Sequence, residues 1–566
     1  MKTIRLVAAS AATLLLPLAH AAPAVSREHS MRPEVQPEVS AVAQVVVGTT
    51  ASAAFHGLTY FSGRTDATGY ELWVTDGTPG GTRLVVEVAQ GSASASPDHL
   101  VVLGDRLYFT ANGGGGNEWW STDGTASGTV MAVDIFTGPG SSTPTQPTLV
   151  GNRLYFTAYE PVHGRELWVT DGNPGGTTIA ADVLAGAGSS SPRELTSLGD
   201  RLVYSASAPE GVGKPWVTIA GTSGAVRLDV ELPATDLNPS FFARLGSRVV
   251  FAAGNAASGE ELWMTGGFPG DAHGVRDIFP GPVSSNPTQL TTLGDRVLFR
   301  AATPDTLYEL WSTDGTTQGT VLVKDIAPRA SSFPDQLVVL GDQVLFSAED
   351  VVHGRELWTS RGTAESTRLV VDGYAGPASG LTSGRRLGVH PVAGQMLYSS
   401  TDGSGAEPWV TDGTPAGTRR IADLAPGLAG SAPRDVGTVG NTVLFATGDA
   451  TAGRLHAWTA VGSTTSATVR KRYSARQARR KRIVVPVSVT STLGGLLDGG
   501  TVTLTRNGKD VGTATLHNGC ARVRISARLR PGRTHRILAT WSGAPSVATG
   551  SVSAEVRFRV KAPPRR

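Results

Sequence analysis

Apolar and polar residues alternate along this chain in short runs, each run closed by Gly, Asn or Asp. The pattern is clearest between Pro287 and Ser332. TQLTTL at 288–293 alternates weakly. Gly294-Asp295 supplies a two-residue turn of the hairpin type, in which one or both central residues need positive φ. RVLFRA follows, rich in β formers. A variable loop leads to YELWST at 308–313, DGTTQG makes a second tight connection, and TVLVKDI closes the set. The pattern predicts four short antiparallel strands.

The same unit recurs. Tryptophans stand at 73, 120, 168, 216, 263, 311, 358, 409 and 458, a period near 48 residues. Four-stranded units at that period predict a β-propeller, in which each small sheet buries its faces against its neighbours. The tryptophan is the natural filler of the space between blades. Burying its ~150–250 Å² is worth on the order of 4–6 kcal/mol as an upper bound. The rival is a β-solenoid, but solenoid coils repeat every ~20–30 residues. Nine tryptophans imply nine blades; the alternative is eight blades and a degenerate last copy, because HAWTAVGSTTSATV has lost the turn motif. AVAQVVV at 41–47 is expected to add a strand to the final blade and close the circle.

The string around each tryptophan reads ELWVTDGTPGGT at 71–82, with copies ELWVTDGNPGGT from Glu166, ELWSTDGTTQGT from Glu309 and EPWVTDGTPAGT from Glu407. Over residues 45–465 the chain resembles the bacterial ELWxxDGT repeat family. The resemblance implies an exported or surface protein with propeller-like repeats, and no particular reaction. The Asp of the DGT string recurs at 76, 123, 171, 314 and 412, with Gly266 and Arg361 in its place elsewhere. An Asx turn explains it, the carboxylate accepting N–H groups just ahead. A calcium loop needs several acids at alternate positions, and only one is present here. No cofactor or metal ligand set is indicated.

A second acidic column follows the tryptophans by 13 or 14 residues: Glu87, Asp134, Asp182, Asp229, Asp277, Asp325, Asp372 and Asp423. One reading has each carboxylate ending the fourth strand and bonding the next turn. The other is an acidic ring around one mouth of the channel, able to attract cations or a basic partner. The Glu two residues before most tryptophans shares their strand face and needs a partner if buried. The arginines after the turns (Arg106, Arg153, Arg201, Arg248, Arg296) are expected to supply it. His163 and His353 recur in HGRELW without a second ligand at metal spacing and are expected as exposed turn residues. GxSxG, HExxH and P-loop strings are absent.

Composition adds the surroundings. Lys2 and Arg5, an apolar run from Leu6 to Leu18 and Ala19-His20-Ala21 read as a cleaved secretory signal, residues 1–21. An uncleaved anchor is the competing reading, but the run is shorter than the ~20 residues a bilayer needs. Residues 22–40 read as a disordered segment and 41–469 as the propeller. The single Cys520 precludes an internal disulfide, so stability rests on packing. With 70 glycines and 17% charged residues, the chain suits strands and turns rather than helices.

The net charge of +3 hides a division. From Arg470 onward there are 21 Lys and Arg against three acids, and before it 29 against 44. RKRYSARQARRKR at 470–482 carries Arg470, Lys471, Arg472, Arg476, Arg479, Arg480, Lys481 and Arg482. It reads as a solvated linker, as a contact for anionic polymers or lipid head groups, or as a site of trypsin-like cleavage. Residues 483–566 carry strand-like runs and hairpin signals at Asn507-Gly508 and Asn518-Gly519. GTVTLTRNGKDVGTATLHNGCARV and PGRTHRILATWSG resemble the bacterial immunoglobulin-like domains of surface and adhesive proteins. That resemblance implies a spacer or adhesive module, with Trp541 and Cys520 packed in a small sandwich.

These features favour an exported, secreted or periplasmic, non-enzymatic binding protein at the cell surface. Its propeller would present a ligand-binding face, and its basic last domain would touch an anionic envelope polymer or extracellular polysaccharide. The alternatives are a polysaccharide hydrolase or lyase with its site in the propeller channel, and a structural coat or matrix component.

Overall fold

A computed structural model describes residues 39–229, 238–381, 387–448 and 453–459. Further on it describes 463–467, 472–473, 484–491, 501–506, 509–515, 520–525, 529, 534–544 and 548–560. The expected signal sequence, most of the segment after it and most of the basic run lie outside these residues.

In the sixth repeat Thr288–Leu293, Arg296–Thr303, Leu307–Thr313 and Val321–Lys324 pair antiparallel in chain order. Gly294 is left-handed in the first turn (φ +62°), where a side chain would be strained. Nine such sheets follow one another, so the protein is a nine-bladed propeller and the eight-bladed alternative falls away. Eight blades have four strands. Blade 8 has three among the described residues: Met396–Thr401, Ala406–Thr411 and Arg419–Arg420.

Blade 9 takes its fourth strand from the other end of the chain. Val39–Ala43 pairs antiparallel with Arg454–Thr459, Val39 opposite Trp458. The closing strand expected at 41–47 therefore begins two residues earlier, and Val46 already belongs to blade 1. First strands of successive blades lie side by side, which puts them innermost and the fourth strands at the perimeter.

Each blade interface holds one apolar cluster, and each tryptophan reaches from its own blade into the one before. Trp311 packs with Leu262 and Met264 of blade 5, Trp358 with Leu310 of blade 6, and Trp409 with Leu357 of blade 7. Trp73 of blade 1 packs against the Leu444 and Leu455 cluster of blade 9, so the closing seam is built like the others.

The last part of the chain forms two sheets. One holds Ser463–Ala467, Val484–Ser491 and Cys520–Arg524. The other holds Arg472–Tyr473, Ala548–Val560, Thr534–Ala544, Thr501–Arg506 and Lys509–Thr515. Val485, Val502, Leu504, Val523 and Ile537 fill the core between them. Two features differ from the sequence reading. Ser463–Ala467, which that reading gives to the propeller, pairs with Val487–Ser491 of the sandwich. Arg472–Tyr473, inside the basic run, lies parallel to Arg559–Val560 and is a strand rather than linker. The side chains of Cys520 and Trp541 and the turns at 507–508 and 518–519 lie outside the described residues.

Candidate functional site

The glutamate of the ELW string is the most regular polar feature of the propeller. Glu71, Glu118, Glu166, Glu261, Glu309, Glu356 and Glu407 are at most 2% exposed. Their partners are not arginines. Glu166 accepts the N–H groups of Val183 (3.0 Å) and Ser190 (2.6 Å) and the Ser190 hydroxyl (2.5 Å). Glu309 takes Ile326, Ala327 and Ser332 in the same way, and Glu407 takes Leu424, Ala425 and Ser431. Each carboxylate thus ties down the connection from its own fourth strand to the next blade. Burial raises the carboxyl pKa at Glu71, Glu118, Glu166, Glu261 and Glu309, and to about 7 at Glu356.

The arginines cannot reach these glutamates. Glu309 stands opposite Ala301, five residues along the strand from Arg296, on the order of 16 Å away. Arg106 instead donates to Ser121 Oγ (3.0 Å) and to the Gly128 carbonyl (2.5 Å). Arg201 lies 4.1 Å from the centre of the Phe268 ring. Blade 4 inverts the charge. Lys214 replaces the glutamate, is fully buried, and lies 3.7 Å from the buried Asp229 carboxylate, which Arg227 also holds (2.7 Å). In blade 9 the position is His456, whose Nε2 meets the Thr447 hydroxyl (2.8 Å).

The DGT aspartates form Asx turns. Asp76 accepts the Thr78 N–H (2.8 Å) and hydroxyl (2.7 Å), and Asp123, Asp314 and Asp412 repeat the pair. Hydrogen bonds from Thr78 hold the Asp76 carboxyl below its ordinary range. The second acidic column, from Glu87 through Asp423, stands one to three residues after the outermost strands. It therefore runs around the perimeter and does not gather at the channel mouth. Asp134, Asp277 and Asp372 accept the N–H groups of Gly138, Gly281 and Gly376 in the following turns. His353 Nδ1 lies 2.8 Å from Asp350 Oδ2, a contact that raises its pKa, and His163 sits likewise against Glu160. No three His, Cys, Asp or Glu side chains among the described residues are grouped to hold a metal ion.

The axis carries polar links that the sequence reading did not identify. Gln146, Glu194, Gln289 and Gln336 interrupt their inner strands in the left-handed conformation (φ +56° to +60°). Their side chains accept N–H groups of the next blade: Leu195, Phe242, Gln336 and Leu387. At blade 8, Asp435 of blade 9 holds the other side, accepting from Val389 N–H (2.7 Å) and facing His390 Nδ1 (3.0 Å). The signal is legible afterwards, as a residue–Pro–residue–Gln or Glu string opening the inner strand.

Two hollows adjoin at one seam. Between blades 2 and 3, on the face that carries the DGT turns, two adjoining hollows of about 350 and 460 Å³ share Arg106, Tyr108, Gly172 and Asn173 as walls. The Tyr108 hydroxyl donates to the Gly172 carbonyl across the seam (3.1 Å).

The fold defines the class: an all-β protein in which a nine-bladed propeller precedes an immunoglobulin-like sandwich. Residues 474–561 match the bacterial Ig-like domain (group 3). No curated protein matches the chain in sequence. Similar solved structures include a puromycin hydrolase, at 18% identity over 51% of this chain and 48% of that one, TM-score 0.32. They include prolyl endopeptidases, at 13% over 66% and 55%, TM-score 0.37. The propeller domain of the Trilobed protease from Pyrococcus furiosus, described as having an open velcro topology, matches at 12% over 58% and 99%, TM-score 0.32. The chain spans about half the length of the puromycin hydrolase and the prolyl endopeptidases. These likenesses concern the fold alone.

Proposed function

We propose that the chain is an exported ELWxxDGT repeat protein that binds its ligand without transforming it, and that its basic last domain contacts an anionic envelope or matrix polymer. The carrying observation is the use of the repeated carboxylates. The ELW glutamates hold loops, the DGT aspartates close turns, and three acids of the outer column bond the turns that follow them. The repeated chemistry thus builds a rigid ring, and blade-to-blade differences fall in the loops and seams, where a scaffold presents recognition groups. The charge division supports the second half of the reading, since a strongly basic segment beside an acidic body favours anionic partners.

The test is cosedimentation of the mature protein with the producer's envelopes at low and high salt. A variant with the eight basic residues of 470–482 changed to Gln runs beside it. The expected outcome is binding that weakens steeply with salt and drops in the variant. Salt-insensitive binding shared equally by both proteins would remove the polyanion contact, and turnover of an envelope polymer by the protein would replace binding with catalysis.

A further inference from the structure

We infer that the seam between blades 2 and 3 is a site for a neutral sugar unit of a glycan, a proposal that rests on the binding function above and gives it a place. The seam differs from the others at Trp119. The equivalent position is leucine at 72, 167, 262, 310 and 357, proline at 215 and 408, and alanine at 457. Trp119 is 1% exposed and packs edge-on to Phe156 and Tyr108, at centroid distances of 5.4 and 6.5 Å. Its ring borders the hollow of about 350 Å³, and its indole N–H has no protein acceptor. Seven repeat tryptophans also lack an acceptor, but none of them lines either hollow of this seam.

The walls select the chemistry. Met131 and Pro174 offer apolar surface over the buried rings of Tyr108 and Trp119, while the exposed Asn173 places a polar group beside it. A sugar ring has both: C–H faces for the apolar wall, and hydroxyls to exchange hydrogen bonds with the polar rim. An anion would need a free cation, and the Arg106 guanidinium is already engaged by Ser121 Oγ and by the carbonyls of Ser121 and Gly128. The volume lies near the lower end of small-ligand sites, which suits one or two rings rather than a long chain.

The experiment is an array of neutral oligosaccharides (glucan, mannan, galactan and xylan fragments) probed with the full mature protein. Two variants run in parallel. Trp119→Leu installs the residue of blades 1, 3, 5, 6 and 7. Val130→Arg puts a bulky charge at a wall position that is 48% exposed. The expected result is retention of at least one glycan class by the wild type, weakened roughly tenfold or more in both variants, with melting curves showing both folded. No retention by the wild type, or equal retention by all three, overturns the site. Envelope cosedimentation of the same samples separates the two failures. Envelope binding without glycan binding sinks only this seam, whereas loss of both sinks the binding function as well.

Discussion

Glu166 shows how a charge becomes tolerable inside a propeller. Its carboxylate is fully buried, yet two backbone N–H groups and a serine hydroxyl surround it. Glu166→Ala would leave those donors unpaired and is expected to destabilise the protein by about 3 kcal/mol or more, measured by denaturant unfolding. Glu356 lacks a hydroxyl partner, because Gly380 stands where most blades supply a serine, as Ala95 does beside Glu71. Burial lifts its pKa from the ordinary 4.5 to about 7. Between those values the folded state holds a proton that the unfolded chain has released, so this group's contribution to stability falls as pH rises through that window. The melting temperature should therefore drop less between pH 5 and 8 in Glu356→Gln than in the wild type; parallel curves would refute the assignment. Glu before Trp is legible in the sequence, and its need for a partner follows from burial. Its partner is not the arginine that the sequence suggests, because strand reach along the blade does not show in a single repeat. The better signal is a serine pair before proline, as at Ser141-Ser142 and Ser189-Ser190, whose second member lies 24 residues beyond Glu118 or Glu166.

Strands and blade seams are where the sequence pattern carries furthest. Alternation with Gly-containing turns locates the strands of each blade, and the 48-residue period locates the tryptophans that fill the interfaces. Trp311→Ala removes a ring that is 5% exposed from the cluster between blades 5 and 6. The expected loss is ~3–5 kcal/mol by thermal or chemical unfolding, and an unchanged transition would exclude its core role. Elements with little apolar content escaped. Ser463–Ala467 reads STTSA and shows no buried face in its sequence, so only its pairing with the sandwich reveals it. The first strand of blade 8 was expected from the repeat. Instead, Gln336 and Asp435 hold an irregular inner segment at Leu387–His390 from its two sides.

At the scale of the whole molecule, the acidic column illustrates what a repeat cannot reveal alone. Equivalent residues must form a ring, but whether that ring is narrow or wide depends on which strand of the blade stands at the axis. Here the fourth strand is outermost, and the carboxylates are spread around the rim. Closure is the other global property, and it depends on Val39–Ala43. Deleting residues 39–43 leaves blade 9 without its fourth strand, and the edge at Arg454–Thr459 unpaired. Limited proteolysis should then cut near blade 9 well before the intact protein is cut, with a lower melting temperature; identical digestion would show that closure adds nothing. The same pairing has a consequence in time. Val39 is synthesised early and Trp458 more than four hundred residues later. At ~5–20 residues per second, the interval is roughly 20–80 s, during which no ring can close. An interrupted chain keeps both edges bare, so the seam acts as a check on completeness: only a copy carried through all nine repeats can hide its own beginning.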